Sequence, residues 1–204
     1  MLDSKIVADS LQPFLFEHAA VRGGVVSLDA TWQEVLMRHS YPSPLRSVLG
    51  ELMAVAPLLT ATIKCDGAVV IQIQGKGPRR LLVVECNADL RMRATAKIRD
   101  GLALDALAGA DLATLAGDGR VVITLDPAHG EDVYQSIVPL APGSVASALE
   151  QYMERSEQLV TRFWLAANAE RAAGLLMQRV PAQGGSTGDR DPEAWASIEE
   201  RARA

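Results

Sequence analysis

The sequence predicts an α+β fold in which antiparallel strands surround one buried helix. Two neighbouring segments carry this prediction. The first, at 44–62, is apolar on nearly every side, and a helix without a wide polar face must be buried all round. The second, at 69–74, alternates apolar and polar residues, which is typical of a strand in a sheet with one dry face.

The composition is that of an ordinary globular chain with one sizeable core. Of 204 residues, 49% are hydrophobic and 22% are charged. The net charge of −5 argues against a general nucleic-acid binder, which usually carries a basic excess. The N-terminus shows no signal-peptide core, and no run of about 18 apolar residues is present. We therefore expect a cytoplasmic protein without a membrane span.

The N-terminal part is expected to form a helix followed by extended chain. Residues 4–16 are predicted to be a short helix, with Leu11 facing inward and Pro13 limiting its regularity. Residues 17–28 are predicted to be extended, and the diglycine at 23–24 indicates a bulge or a tight bend.

Two helix starts follow. Thr31 and Glu34 have the spacing of a capping box, in which each side chain satisfies the other's backbone donor. Ser43 before Pro44 combines a cap residue with a first-turn proline, and they open the buried helix named above. Pro57 inside that helix indicates a kink or a local break.

The middle of the chain is rich in predicted strands. The strand at 69–74 returns through a turn at 75–78 into a strand at 81–85, and 91–99 alternates in the same way. An alanine-rich piece at 102–116 is predicted to supply a short helical turn. The remaining strands are predicted at 121–125, 133–138, 161–167 and 174–180, the first two as a hairpin.

Two further helices are predicted towards the C-terminus. Ser144 caps a helix at about 145–158. Residues 181–188 have the composition of a linker, and Asp191 then opens a highly charged helix. The narrow apolar stripe of that helix consists of Trp195, Ile198 and Ala202.

The cysteines and histidines show no spacing typical of metal ligands. They are Cys65, Cys86, His18, His39 and His129. We expect both thiols to be small, partly buried hydrophobes, because Asp66 beside Cys65 would raise the pKa of that thiol rather than activate it. No catalytic, cofactor-binding or metal-ligating residue is therefore predicted.

Two alternative functions remain open at this point. One is a thiol-dependent enzyme using Cys65, which needs a base that only distant histidines could supply. The other is a nucleic-acid-binding domain with a basic face. That face consists of Arg79, Arg80, Arg91, Arg93, Lys97 and Arg99. No aromatic residue lies among these bases to stack on nucleotides, so the simpler interpretation is the solvated face of a half-buried sheet.

Seven sequence blocks follow one another along the chain. They are FEHAAVRG at 16–23, YP at 41–42, LLTATIKCDG at 58–67, IQIQG with GP at 71–78, GDGRVVIT at 117–124, Tyr152 with SEQ and Thr161 at 152–161, and AAGLLMQ into PAQ at 172–183. Each block is weak by itself. Together, and in this order, they closely resemble the redox-regulated, zinc-switch heat-shock chaperones of thirty-three kilodaltons.

The resemblance implies an ATP-independent holdase, with two sheets or one strongly curved sheet around the central helix. It also implies a homodimer that binds unfolded polypeptide clients but neither nucleic acid nor membrane. In that family a C-terminal module holds zinc on four cysteine thiolates, and oxidation of these ligands ejects the metal and activates the chaperone. By this resemblance, residues 1–180 are the chaperone core and 181–204 the linker region with its charged helix.

The sequence departs from that pattern at its C-terminal end. It stops at Ala204, inside what resembles the linker helix, and none of the four zinc cysteines is present. No ligand role passes to Cys65 or Cys86, so zinc is expected only in the full-length family member. We expect a fragment of a longer gene product, whose tail from Asp191 masks an apolar surface that binds clients.

Overall fold

The chain folds into nine strands and four helices in the part that this computed structural model describes, residues 9–17, 19–63, 66–75, 79–98, 117–129, 132–140, 144–180 and 192–203. The strands are β1 (Ser10–Leu15), β2 (Val21–Leu28), β3 (Ala68–Gln74), β4 (Arg79–Asn87), β5 (Met92–Ile98), β6 (Arg120–Asp126), β7 (Tyr134–Pro139), β8 (Thr161–Ala167) and β9 (Ala172–Arg179). The helices are α1 (Ala30–Arg38), α2 (Ser43–Thr62), α3 (Val145–Ser156) and α4 (Pro192–Arg203).

The strands form two separate antiparallel sheets. Sheet I has the order β1-β2-β9-β8, and sheet II has the order β5-β4-β3-β6-β7. Every paired strand runs antiparallel to its neighbour. The α+β fold and the two-sheet arrangement are thereby confirmed, and the single curved sheet is not what forms.

Helix α2 lies between the two sheets and touches three strands of each. Every residue from Leu52 to Thr60 is buried. By length and composition α2 could cross a membrane, but 72% of its most apolar window is buried inside the fold. Packing between two apolar sheet faces therefore accounts for its composition, as predicted for the central helix.

Helix α2 approaches sheet I closely at Gly50. A Cβ atom there would collide with the Cβ of Ala167 and press on the ring of Trp32. Trp32 is fully buried, and its indole N–H donates to the carbonyl of Asn168 over 2.9 Å. A missing side chain on α2 thus leaves room for the tryptophan that fastens α1 to the β8–β9 hairpin.

The predicted capping box of α1 is wrong. The N-cap is Asp29 without a side-chain cap bond, and the carboxylate of Asp9 accepts from the backbone N–H of Thr31 at 2.9 Å and of Asp29 at 2.7 Å. Glu34 instead accepts from Arg38 one turn later. A carboxylate distant in sequence has replaced the local cap, which spacing alone cannot reveal.

The start of α2 also differs in detail from the prediction. Its N-cap is Pro42, and Ser43 is the first helical residue, with no side-chain cap bond. Of the kink or local break predicted at Pro57, the break does not occur, because the helix continues through Pro57 to Thr62. The burial of the apolar residues on both sides of Pro57 offsets the cost of the missing backbone hydrogen bond.

Residues 10–15 form an edge strand, so the helix predicted at 4–16 is wrong where the structure describes it. Pro13 fits because it lies opposite Gly24 at the outer edge of sheet I, where no ladder bond is required of its nitrogen. Pro13 was unfavourable for the predicted helix, but it is compatible with an edge strand.

The bulge predicted at the diglycine is also wrong, because β2 pairs with β1 and β9 in unbroken register. Gly23 is needed for space. A Cβ on it would collide with the Phe14 ring and the carbonyl oxygen of Leu176. The glycine therefore lets the aromatic ring lie directly over the strand.

The other predicted elements are confirmed within a residue or two. They are β3 to β9, the β6–β7 hairpin, and α3 with its capping box between Ser144 and Ser147. Residues 76–78 of the predicted turn at 75–78, the short helical turn predicted within 102–116 and the predicted linker at 181–188 lie outside the described residues.

The enclosure of α2 predicts a large cost for shortening its side chains. Leu49 is fully buried, so Leu49→Ala should lower the free energy of unfolding by about 2–5 kcal/mol. Met37, with 74% of its surface exposed, is the matched control, and Met37→Ala should change it by less than about 0.5 kcal/mol. Urea unfolding measures both, and equal costs would show that α2 is not enclosed.

A carboxyl group on α2 predicts a pH dependence of stability. Burial raises the pKa of Glu51 from 4.5 to about 7. Between pH 4.5 and about 7, the carboxyl group therefore keeps its proton in the folded state but loses it in the unfolded state. The contribution of Glu51 to stability falls as the pH rises through this range. Glu51→Gln should stabilise the protein above pH 8 by about 1–3 kcal/mol and have little effect near pH 4. The exposed Glu154→Gln is the control, and a Glu51→Gln profile parallel to that of the wild type would contradict the assignment.

Candidate functional site

Sheet I is apolar on both of its faces. Side chains alternate along β9, so Leu176 points towards α2 while its neighbours Leu175 and Met177 point to the opposite face. Most antiparallel sheets in small domains leave one face to water. A second apolar face needs its own cover.

Helix α4 covers that outer face. Trp195 of α4, only 9% exposed, packs with Val21 of β2 and Met177 of β9. The partly buried residues around this centre are Phe14, Ala19, Trp164, Leu175, Ile198 and Ala202. We call the sheet side of this contact, Phe14, Ala19, Val21, Trp164, Leu175 and Met177, the outer apolar surface.

An ion pair joins α4 to the sheet beside these apolar contacts. Arg162 of β8 lies with its Nε 3.2 Å from Oε1 of Glu199 on α4. The same guanidinium lies 3.8 Å from Glu150 of α3. Because Arg162 also lies near Glu150, it keeps an acidic partner when α4 detaches. Detachment therefore leaves the charge of Arg162 paired.

Helix α4 is held weakly on sheet I, because the helix is short and its apolar contact is small. An isolated helix of 12 residues is marginal in water, so α4 owes its order to docking. Docking rests on one apolar stripe, and burying a large apolar side chain stabilises by about 1.5–3 kcal/mol. We therefore expect α4 to be a cover that detaches without unfolding either sheet.

A groove of about 580 Å³ adjoins the outer apolar surface at Phe14. It runs between the edge of sheet I and the C-terminal end of α2. Its lining residues are Leu11, Pro13, Phe14, Leu15, Arg22, Gly23, Gly24, Leu58, Ala61, Thr62, Leu176 and Val180. Leu15, which is 70% exposed, stands at this edge and extends the apolar surface towards solvent.

Arg22 is the one charged residue of the groove lining. Its Nε donates to the side-chain oxygen of Gln178 over 2.8 Å, and the buried Gln178 amide donates in turn to Thr161 over 3.1 Å. This network fixes the guanidinium at the groove while leaving the remaining walls apolar. Groove and outer apolar surface together offer sequence-tolerant contact area rather than a reactive centre.

The described residues do not support the hypothesis of a thiol-dependent enzyme. Cys65 and His18 lie outside the described residues. His129 is exposed, 3.9 Å from Asp66, and His39 is exposed as well. Cys86 is buried in the core, and that burial raises the pKa of its thiol. A thiol held in its protonated form is a poor nucleophile.

The basic face is assembled only in part within the described residues. Arg93 and Lys97 of β5 are exposed, as is Arg91 just before this strand. The side chains of Arg79 and Arg80 and all of Arg99 lie outside the described residues. Arg93 is paired with Glu85 at 2.6 Å. An opposite charge this close diminishes the attraction for phosphates.

No cluster of possible metal ligands occurs in the part of the chain that the structure describes. Within those ranges no three side chains of His, Cys, Asp or Glu come together in a way that could hold an ion.

Sequence reasoning predicted the apolar stripe of α4 and an apolar surface masked by this tail, but not which residues form that surface. A signal was present in the run Leu175-Leu176-Met177, since three consecutive apolar residues in a strand place apolar side chains on both faces. The groove had no local signal, because its walls come from β1, β2, β9 and α2.

Comparisons with known proteins agree with this architecture. The family model described as Hsp33 protein matches residues 9–204. The 33 kDa chaperonin of Methylobacillus flagellatus is 49% identical over 94% of this chain and 63% of its own length. That of Chromobacterium violaceum is 46% identical over 94% of this chain and 62% of its own length. The chain thus spans slightly under two thirds of these relatives.

A solved structure shares the fold. The 33 kDa chaperonin, a heat shock protein 33 homolog, from Thermotoga maritima superimposes with a TM-score of 0.78 at 23% identity. The match covers 97% of this chain and 68% of that one.

The docking of α4 predicts a change in exposed apolar area. A chain ending at Val180, or the full chain with Trp195→Ala, should raise the fluorescence of a hydrophobic dye by about twofold or more, because the outer apolar surface becomes accessible. Arg201→Ala, an exposed change on the same helix, is the control. An unchanged dye signal on truncation would show that α4 masks nothing.

Proposed function

This chain belongs to the Hsp33 family, and we propose that it is the core of an ATP-independent chaperone that holds unfolding polypeptides without transforming them. The curated relatives carry the name 33 kDa chaperonin, which specifies no reaction. The observation that carries the proposal is the outer apolar surface of sheet I under a weakly docked helix.

The chemistry of this surface suits unfolded clients. Attraction between apolar surfaces has no direction and scales with the area removed from water, at about 25 cal/mol per Å². It therefore tolerates many sequences, provided that they expose apolar side chains as unfolding proteins do. Met177 adds an adaptable side chain at the centre of the contact.

Release of α4 is the activating step in this proposal. In the docked state Trp195 fills the position that a client side chain would take. A change in the segment around α4 that loosens the helix uncovers both the surface and the adjoining groove. The resemblance supplies oxidation of zinc-binding thiolates as the trigger in the complete family member.

Zinc has no part in the steps derived from this chain. The described residues do not fit a zinc site, and the described thiol, Cys86, is buried in the core. We propose zinc only for the full-length family member, together with a homodimer, a cytoplasmic location, and the absence of nucleic-acid and membrane partners.

The comparisons support neither alternative function. The relatives are named for chaperone activity. Among the described residues, no site pairs a reactive thiol with a base. The basic face on β5 is partly neutralised by Glu85.

Light scattering of a chemically denatured client tests the proposal. The chain with Trp195→Ala should suppress aggregation at about half the concentration that the unchanged chain needs, because the surface is no longer covered. Adding Leu175→Lys, which places a charge on the outer apolar surface, should abolish the gain. Thr95→Lys on the exposed side of β5 is the matched control for added charge.

One result would contradict the chaperone assignment. It is that light scattering of the client stays the same with each of these chains, and also with the chain to which the C-terminal segment of its relatives has been restored and oxidised.

A further inference from the structure

The groove between the edge of sheet I and the C-terminal end of α2 has the size and lining of a small-molecule site. Its volume of about 580 Å³ lies within the usual range of about 300–1,000 Å³. Most of its lining side chains are apolar, and Arg22 is the charged one among them. Apolar walls with one oriented polar group are typical of ligand sites. The arginine therefore decides which ligands the groove can hold.

A buried network holds the guanidinium of Arg22 in place. Its Nε donates to the side-chain oxygen of Gln178 over 2.8 Å, and its Nη2 donates to the same oxygen. Gln178 is fully buried, and its amide donates to the hydroxyl of Thr161 over 3.1 Å. That hydroxyl donates in turn to the carbonyl of Leu159 over 3.1 Å. The guanidinium is thus oriented before a ligand arrives, which lowers the entropy lost on binding.

Part of the guanidinium remains unused by the protein. Its further N–H groups, on Nη1, have no hydrogen-bond partner among the described residues. Other arginines of the described chain pair with carboxylates. They are Arg38, Arg93, Arg162 and Arg171. Among the described residues no carboxylate pairs with Arg22, so the groove presents a positive charge with donors to spare.

The head group that fits this arginine is a carboxylate. A guanidinium binds a carboxylate through short, charge-assisted hydrogen bonds. A single arginine balances one negative charge, whereas a phosphomonoester, with a charge of about −1.5 to −2, would stay under-compensated. Thr62 adds no donor to the lining, because its hydroxyl donates to the carbonyl of Leu58 over 2.7 Å. The groove therefore favours a monoanion.

The apolar lining defines the shape of the remaining ligand. Leu11, Pro13 and Leu15 lie on one side of β1, and from the first to the last they span about 13 Å at about 3.3 Å per residue. A saturated chain of about ten carbons has this length, since each C–C bond of about 1.5 Å advances it by somewhat less. Leu15 lies opposite Arg22 in the strand register and is 70% exposed, whereas Leu11 packs against the core. The charged end of the groove is thus its open end.

We propose that this groove binds a fatty acid, with the carboxylate on Nη1 of Arg22 and the unbranched chain along β1 towards Leu11. The head group keeps contact with water beside Leu15, and the chain leaves water for the apolar walls. This site is separate from the proposed chaperone function, because a single small molecule fills it and no unfolded client takes part.

Calorimetric titration of the full chain with sodium decanoate at neutral pH tests the site. Decan-1-ol has the same chain without a charge, and decyltrimethylammonium carries the opposite charge. Decanoate should bind about tenfold more tightly than decanol, because it alone gains the charge-assisted hydrogen bonds. Decyltrimethylammonium should bind more weakly than decanol. Equal affinities for all of these amphiphiles would overturn the inference.

Substitution of the arginine tests the head-group contact. Arg22→Gln should remove the advantage of decanoate and leave the affinity for decanol within about twofold, because only the charged contact is lost. Arg91→Gln changes an exposed arginine outside the groove and is the matched control. Thermal unfolding checks that both variants are folded. If Arg22→Gln is not, Gln178→Glu replaces it, because a carboxylate at that position would neutralise Arg22.

A second substitution tests where the chain lies. Ala61 is an exposed lining residue of α2, so Ala61→Trp can place its indole in the groove without displacing the core. Decanoate and decanol should then both bind at least about tenfold more weakly, because the apolar walls are already covered. Decanoate binding that Arg22→Gln or Ala61→Trp leaves unchanged would put the ligand elsewhere and overturn the inference.

Discussion

The enclosure of α2 is the constraint on which the rest of the structure depends. A 20-residue helix without a polar side has no stable place at a surface, so a layer is required on each side of it. Nine strands supply those layers as two sheets. The glycine at position 50 lets the helix approach sheet I closely enough for the Trp32 ring to fill the remaining space. Once α2 occupies the inner faces, only outer faces and edges are left for binding.

Function in this account is a property of surfaces that the core does not use. Sheet I carries a second apolar face, and a marginal helix covers it through Trp195. Such a cover stabilises little and can be lost at little cost, which makes the surface available on demand. This surface allows contact with many sequences and requires no reactive group.

Much of this fold could be predicted from local pattern. The buried α2, the alternating strands and the Ser144 cap all follow from residues adjacent in sequence. The errors share one cause, which is contact over long sequence separations. Asp9 caps α1 from 20 or more residues away, so the local Thr31 pattern misled. Pro13 seemed to limit a helix, but its position at a sheet edge is set by pairing with β2. The groove joins distant segments in the same way.

Site-specific photo-crosslinking tests the central claim most directly. A photoreactive residue at position 177, at the centre of the outer apolar surface, should capture a denatured client once α4 is released and capture little while α4 is docked. The same residue at position 95, on the exposed side of β5, should capture little in either state. Equal capture from both positions, or capture at position 177 that does not respond to α4, would contradict the claim that a covered face of sheet I grips unfolding proteins.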